Sequence, residues 1–185
     1  MTKRILIIDP QKDFVHRDGN YASRHKGITQ ILDAKEKINK LLLTQKKEEL
    51  LIVTSDYRKD QFHQGLSICI PGTEGHSVDI EADESYTYIS KTQHSCFSSP
   101  AFISHLKEHR VEELIICGFL AEYCVQETAI DALKNGYAVL LIRDCIGTGD
   151  DVQNRKDQML LTLQEKGAAV ADNEFITSRN YLCPK

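Results

Sequence analysis

The chain has 185 residues, 27% charged and 41% hydrophobic, ordinary values for one globular domain large enough to bury a core. Its 23 Lys and Arg against 27 Asp and Glu give a formal charge of −4 with no basic block, which argues against nucleic acid as a partner. No apolar run approaches the ~18 residues of a membrane span.

The first segment, "MTKRILIIDP", has four consecutive apolar residues before Asp9, too few for a signal-peptide core, so the chain reads as cytoplasmic. Its run "RILIID" (4–9) predicts a first strand. Ile28, Ile31, Leu32, Ile38, Leu41 and Leu42 share one face of a helix. A second strand is expected at "LLIVTSD" (50–56), followed by a polar, glycine-containing, non-periodic stretch over 57–85. A loop that long inside a compact domain is usually functional.

Further strands are predicted at "YTYIS" (86–90), "LIICGF" (114–119), "YAVLLIRD" (137–144) and "AAVAD" (168–172). Val125, Thr128, Ala129, Ala132 and Leu133 fit a helix stopped at Asn135-Gly136, and Met159, Leu160 and Leu163 mark another, stopped by Gly167. This alternation implies one α/β domain over 1–185. Its architecture is a three-layer α/β/α, doubly wound, mostly parallel six-stranded sheet with right-handed crossovers. The six cysteines (69, 96, 117, 124, 145, 183) contain no CxxC pair and are read as reduced, structural thiols, with Cys124 the exception.

In a doubly wound sheet, ligands bind beyond the carboxyl ends of the strands. Asp9, Asp56, Lys91, the 118–124 loop and Asp144-Cys145 all fall at such ends, so an acid, a cation and a thiol converge on one edge. Cys124 falls in the first turn of the helix that begins near 123. The helix N-terminus and a nearby Lys are both expected to lower its pKa toward a thiolate.

Three segments carry a family resemblance. "LIIDPQKDF" (6–14) is similar to an apolar strand ending in D-x-Q-x-D-F, "ISKTQHSCFSSP" (89–100) to a K-x-x-x-S-x-F segment, and "IICGFLAEYCVQETAIDALKNGY" (115–137) to a G-x-x-x-x-x-C-V-x-x-T-A-x-D-A signature. In order and spacing the chain resembles the isochorismatase-like cysteine hydrolases, which include nicotinamidases, carbamoyl and ureido amidohydrolases and isochorismatase. The resemblance implies a catalytic triad of Asp9, Lys91 and Cys124. It also implies a cis peptide between Phe119 and Leu120, and an oxyanion hole from the N–H groups of Leu120 and Cys124. Within the first motif Asp9 is preferred to Asp13, which is assigned structural hydrogen bonds. The resemblance further implies a small-molecule substrate and a homo-oligomer.

Nicotinamidases of this family hold a metal through an Asp and His residues in D-x-H and a later P-H segment. Asp56 matches the Asp, but Arg58 stands where the first His belongs and Ile68 where the later one belongs, and neither side chain can ligate. No cofactor is therefore assigned; a rearranged site from Asp56, His63 and His76 is the weaker alternative. Arg58 is instead expected at the pocket rim, pairing with a substrate carboxylate, with Phe14 and Tyr123 as further substrate contacts.

The leading reading is a metal-independent cysteine amidohydrolase acting on a small amide, carbamoyl or ureido compound through a thioester. Alternatives are a nicotinamidase or pyrazinamidase with a displaced metal, vinyl-ether hydrolysis of the isochorismate type, and a non-catalytic interaction module, for which Pro10, Glu122 and Tyr123 are modest departures from the motifs.

Overall fold

A computed structural model describes residues 2–62 and 65–179. Six strands form a single sheet: β1 (Lys3–Ile8), β2 (Leu50–Ser55), β3 (Thr87–Lys91), β4 (Glu113–Phe119), β5 (Ala138–Gly147) and β6 (Ala169–Ala171). Each lies within about three residues of a predicted run, the main difference being β5, which continues past 144 to Gly147. Their spatial order is β3-β2-β1-β4-β5-β6 and every pairing is parallel.

Six α-helices accompany the sheet: α1 (Lys12–Val15), α2 (Thr29–Thr44), α3 (Pro100–Glu108), α4 (Gln126–Lys134), α5 (Gln153–Glu165) and α6 (Asn173–Arg179). Of these α1, α3 and α6 have no counterpart among the predicted helices. The α3 start is nonetheless well specified, because Ser99 caps it by accepting from Phe102 N and Pro100 occupies its first turn.

The alternating pleat distributes each strand's apolar residues to two cores. Ile5, Ile7, Leu50 and Ile52 pack with Phe14 of α1, Ile31, Ile38 and Leu41 of α2 and Ile176 of α6. Leu6, Ile8, Leu51 and Val53 pack on the opposite face with Phe102 of α3, Ala129 of α4 and Leu163 of α5. Both faces are covered, which is why these strands read as continuous apolar runs.

From β1 the chain builds outward through β2 to β3, then returns to place β4 on the other side of β1. The change of direction leaves a crevice at the carboxyl ends of β1 and β4, the usual ligand position in such sheets. There Ile8 pairs with Gly118, whose φ is +121° and whose missing Cβ would meet the Ile8 carbonyl oxygen. Only glycine fits that approach.

Candidate active site

Asp9 follows β1 directly, with φ at +53°, and its N–H donates to the Val53 carbonyl at 2.8 Å. A positive φ is uncommon for residues with side chains, but Asp tolerates it better than most. Lys91 ends β3, two strands away, and reaches back across β2 to place Nζ 3.0 Å from Asp9 Oδ2. The ammonium also donates to Ser55 Oγ at 2.7 Å and the Gln93 carbonyl at 3.1 Å, and Ser55 Oγ donates to Asp9 Oδ1 at 2.9 Å. Neither side chain of the pair touches solvent. Burial is the largest single influence and works against the charge on Lys91, but Asp9 together with Cys124, Tyr57 and Cys96 outweighs it, and the lysine pKa is held well above its ordinary value.

Cys124 comes from the end of β4. The Phe119-Leu120 peptide is cis, as the family resemblance implies, and the chain then enters a wide π-helical turn (Ala121–Val125) that runs into α4. The helix therefore begins earlier than the sequence suggested, and Cys124 sits within its first turn. Such wide turns are frequent at functional sites. The buried thiol lies 3.4 Å from Tyr57 OH and 3.5 Å from His94 Nδ1, and both Asp9 and Lys91 act on it electrostatically.

The expected lowering of the Cys124 pKa is not found. Burial, followed by the Asp9 carboxylate, pushes the thiol well up, against the opposing pull of Lys91. A helix terminus contributes about 0.3–1 kcal/mol, less than the desolvation of an anion in this setting. The fold thus favours the neutral form of the thiol next to the Asp9–Lys91 ion pair.

Cys124 opens onto a cavity of about 250 Å³ whose lining is mainly apolar and aromatic. Phe14 and Tyr123 line it, with Tyr57, Phe62, Ile68 and His94. Leu120 also lines it, next to the thiol. Arg58 requires a correction: it is absent from the lining, its side chain is 79% exposed, and its nearest acid is Asp60 at 3.7 Å. The arginine that does line the cavity is Arg24, in a short 3₁₀ turn over Ala22–Arg24.

That turn is strapped to the loop after β5. Tyr21 OH lies 3.0 Å from Thr148 Oγ1 and accepts from Gly149 N, and Thr148 Oγ1 donates to Glu122 Oε2 at 2.7 Å. His25 Nδ1 lies 2.8 Å from Asp151 Oδ1, and the Asp150 carboxylate accepts from the N–H groups of Thr29 and Gln30 at the start of α2. Burial pushes the Tyr21 hydroxyl up to about 12, so it stays protonated.

Sequence reasoning missed Tyr57, His94, Ser55 and Arg24. Tyr57 directly follows Asp56 at a strand end, and His94 lies three residues past Lys91, close enough to the motifs to have been suspected. Nothing local marked Arg24.

The candidate metal donors come only partly together. Asp56 Oδ1 and His76 Nε2 are 2.7 Å apart and bond to each other, while His63 lies outside the described residues. Among the described residues no three His, Cys, Asp or Glu side chains gather as a metal-binding group. Of the six cysteines, the five within the described residues are free thiols, and Cys183 lies outside them.

The chain is 27% identical over 161 residues to an uncharacterized isochorismatase family protein, PncA, of Bacillus subtilis, covering 80% of this chain and 87% of that one. A shorter match, 42% over 50 residues, covers 26% of this chain and 24% of the nicotinamidase of Escherichia coli. Among solved structures, the pyrazinamidase of Pyrococcus horikoshii in complex with zinc superposes with a TM-score of 0.80 at 22% identity, over 93% of this chain and 99% of that one. PnC1 from L. infantum in complex with nicotinate gives 0.78 at 22% identity, over 94% of this chain and 93% of that one. A sequence model of the isochorismatase domain matches residues 3–175, and the chain belongs to the isochorismatase family.

Proposed function

We propose that this hydrolase cleaves the C–N bond of a small amide through a thioester on Cys124. The observation that carries the reading is the meeting of Asp9, Lys91 and Cys124, drawn from three strand ends, beside one apolar cavity. Asp9 takes the thiol proton as sulfur attacks the amide carbon. The oxyanion rests on the N–H groups of Leu120 and Cys124, and Asp9 passes the proton to the departing nitrogen. Lys91 holds the Asp9 carboxylate in place and balances its charge in a site closed to solvent. Tyr57, kept protonated by burial, can donate to the sulfur as negative charge develops there.

The cavity selects the acyl part. Aromatic walls from Phe14, Phe62 and Tyr123 suit a flat, largely apolar group, and Arg24 at the exposed edge suits a negative substituent on it. The role first given to Arg58 passes to Arg24.

Ammonia release should be measured over a panel of nicotinamide, pyrazinamide, benzamide, 3-carbamoylbenzoate and ureido compounds. Turnover of at least one amide, abolished in Cys124→Ala, is the expected result; turnover retained by Cys124→Ala would remove the nucleophile.

A second reading, deamidation of nicotinamide or pyrazinamide specifically, is favoured by the aromatic walls. It also has the support of relatives named as nicotinamidase and pyrazinamidase. Elemental analysis of the purified protein, with nicotinamide assays before and after chelation, separates a metal-assisted form of this activity from a metal-free one.

A further inference from the structure

Cys124 has two proton-accepting neighbours, and they occupy different environments. Asp9 is wholly buried, locked by Lys91 and Ser55, and is not among the residues that line the cavity. His94 lines the cavity, with Nδ1 3.5 Å from Cys124 Sγ. Its ring is held between aromatic neighbours, stacked on Tyr123 with centroids 5.6 Å apart and also 5.6 Å from Phe62.

We infer that the two steps of the reaction use different bases: Asp9 serves the formation of the thioester, and His94 activates the water that hydrolyses it. The inference rests on the Cys124 reading above and adds a catalytic residue to it.

Water for the second step arrives through the cavity. Once Cys124 carries an acyl group, that water meets the imidazole, whereas Asp9 stays behind the sulfur among its own partners. In the first step the thiol proton passes through Asp9 to the nitrogen, the C–N bond breaks and ammonia leaves. In the second, water gives a proton to the neutral His94 ring as its oxygen bonds to the thioester carbon. The C–S bond then breaks, the acid departs, and the thiolate recovers a proton from the imidazolium. No proton or electron pair is left over.

The surroundings of His94 suit a base that is neutral at physiological pH. Burial and the Lys91 ammonium lower its pKa, against weaker opposing effects of Asp9 and Glu127. The other titratable groups facing it are Tyr57, Tyr123 and the Cys124 thiol itself.

The test uses p-nitrophenyl acetate, an activated ester whose leaving group needs no proton, so that it loads the thiol whatever the natural amide. The wild-type enzyme should turn it over continuously. His94→Gln should release one equivalent of nitrophenolate and then slow by about 100-fold or more, as expected for loss of a general base. Intact-mass measurement should show the acetyl group retained on that variant and absent from Cys124→Ala. The wild-type deacylation rate should rise with pH through a titration below the usual imidazole range, and this limb should vanish in His94→Gln. Added imidazole should restore turnover to His94→Ala.

Deacylation by His94→Gln at the wild-type rate overturns the inference. So does a loss shared equally by both steps with an unchanged pH profile, which marks a merely structural ring. Failure of the wild-type enzyme to become acylated at Cys124 is a separate result, and removes the nucleophile assignment beneath it.

Discussion

Lys91 Nζ and Asp9 Oδ2 meet at 3.0 Å with both side chains fully shielded from water. Each charge is tolerable there only because of the other. Lys91→Met should therefore destabilise the protein by about 3–5 kcal/mol, and Lys91→Met combined with Asp9→Asn should recover part of that loss. Urea denaturation of the two variants and the wild type checks both statements. A double variant no more stable than Lys91→Met would show that the pair is not what couples these strand ends.

The raised pKa of Cys124 bears on its reactivity. With the thiol neutral at pH 7, iodoacetamide should label Cys124 no faster than an unperturbed cysteine, and the rate should climb as pH rises. Mass mapping of the labelled residue against Cys124→Ala gives the answer. Fast labelling at neutral pH would mean a standing thiolate.

Alkaline stability follows from the same cause. Burial pushes Cys96 from 9.0 up to about 12, and Cys69, Cys117 and Cys124 are also raised. Above pH 9 the unfolded chain loses these protons while the folded chain keeps them, so the unfolded state binds fewer and stability falls as pH rises. The contribution is intact below about pH 9. Beyond it each such thiol adds a slope of about 1.4 kcal/mol per pH unit. Denaturation midpoints at pH 8, 9.5 and 10.5 should decline accordingly, and replacing Cys96 by Ala should flatten the decline.

Arg24 is exposed, and an exposed ion pair is worth up to about 1 kcal/mol. Arg24→Gln should lower kcat/KM for 3-carbamoylbenzoate by about fivefold at most and leave benzamide unaffected, the difference shrinking in high salt. Equal losses on the two amides would assign Arg24 to folding of the 3₁₀ turn instead of substrate recognition.

Asp13 is nearly buried and accepts from Cys69 N at 2.6 Å and from Asn20 N at 3.3 Å, so it fastens two loops that bound the cavity. Asp13→Ala should cost about 1.5–3 kcal/mol, the usual worth of hydrogen bonds to a charged group. Gly75→Ala should do comparable damage, since its Cβ would collide with the Asp13 carboxylate. Thermal melts report both.

Much of this arrangement was legible in the sequence because strand ends are local features. An apolar run that stops at Asp9, another that stops near Lys91 and a third before Cys124 announce their positions, and the parallel order brings them to one edge. The position of the cis peptide could be carried over from the motif alone. The loops could not be read the same way. Arg24 reaches the cavity only because Tyr21 and His25 are anchored to Thr148 and Asp151, more than 100 residues later, and no local spacing encodes that contact. Arg58 is expected at the rim because it stands where the motif's first metal-binding His belongs, yet the chain beyond β2 carries Tyr57 inward and leaves Arg58 in solvent. The thiol pKa was misjudged for a related reason. Helix polarity can be read from the order of residues, whereas the depth of burial that overrides it is a property of the assembled fold.

The left-handed backbone at Asp9 decides how this position can be probed and how it can change. Replacement by Glu keeps the functional group and adds one methylene, but Glu accepts that conformation poorly, and the longer arm would overrun Lys91 and Ser55. Asn alters the chemistry while retaining both the outline and the backbone preference. The substitution that looks milder on paper is thus the harsher one in the molecule, and among acids only the shorter one serves at this corner.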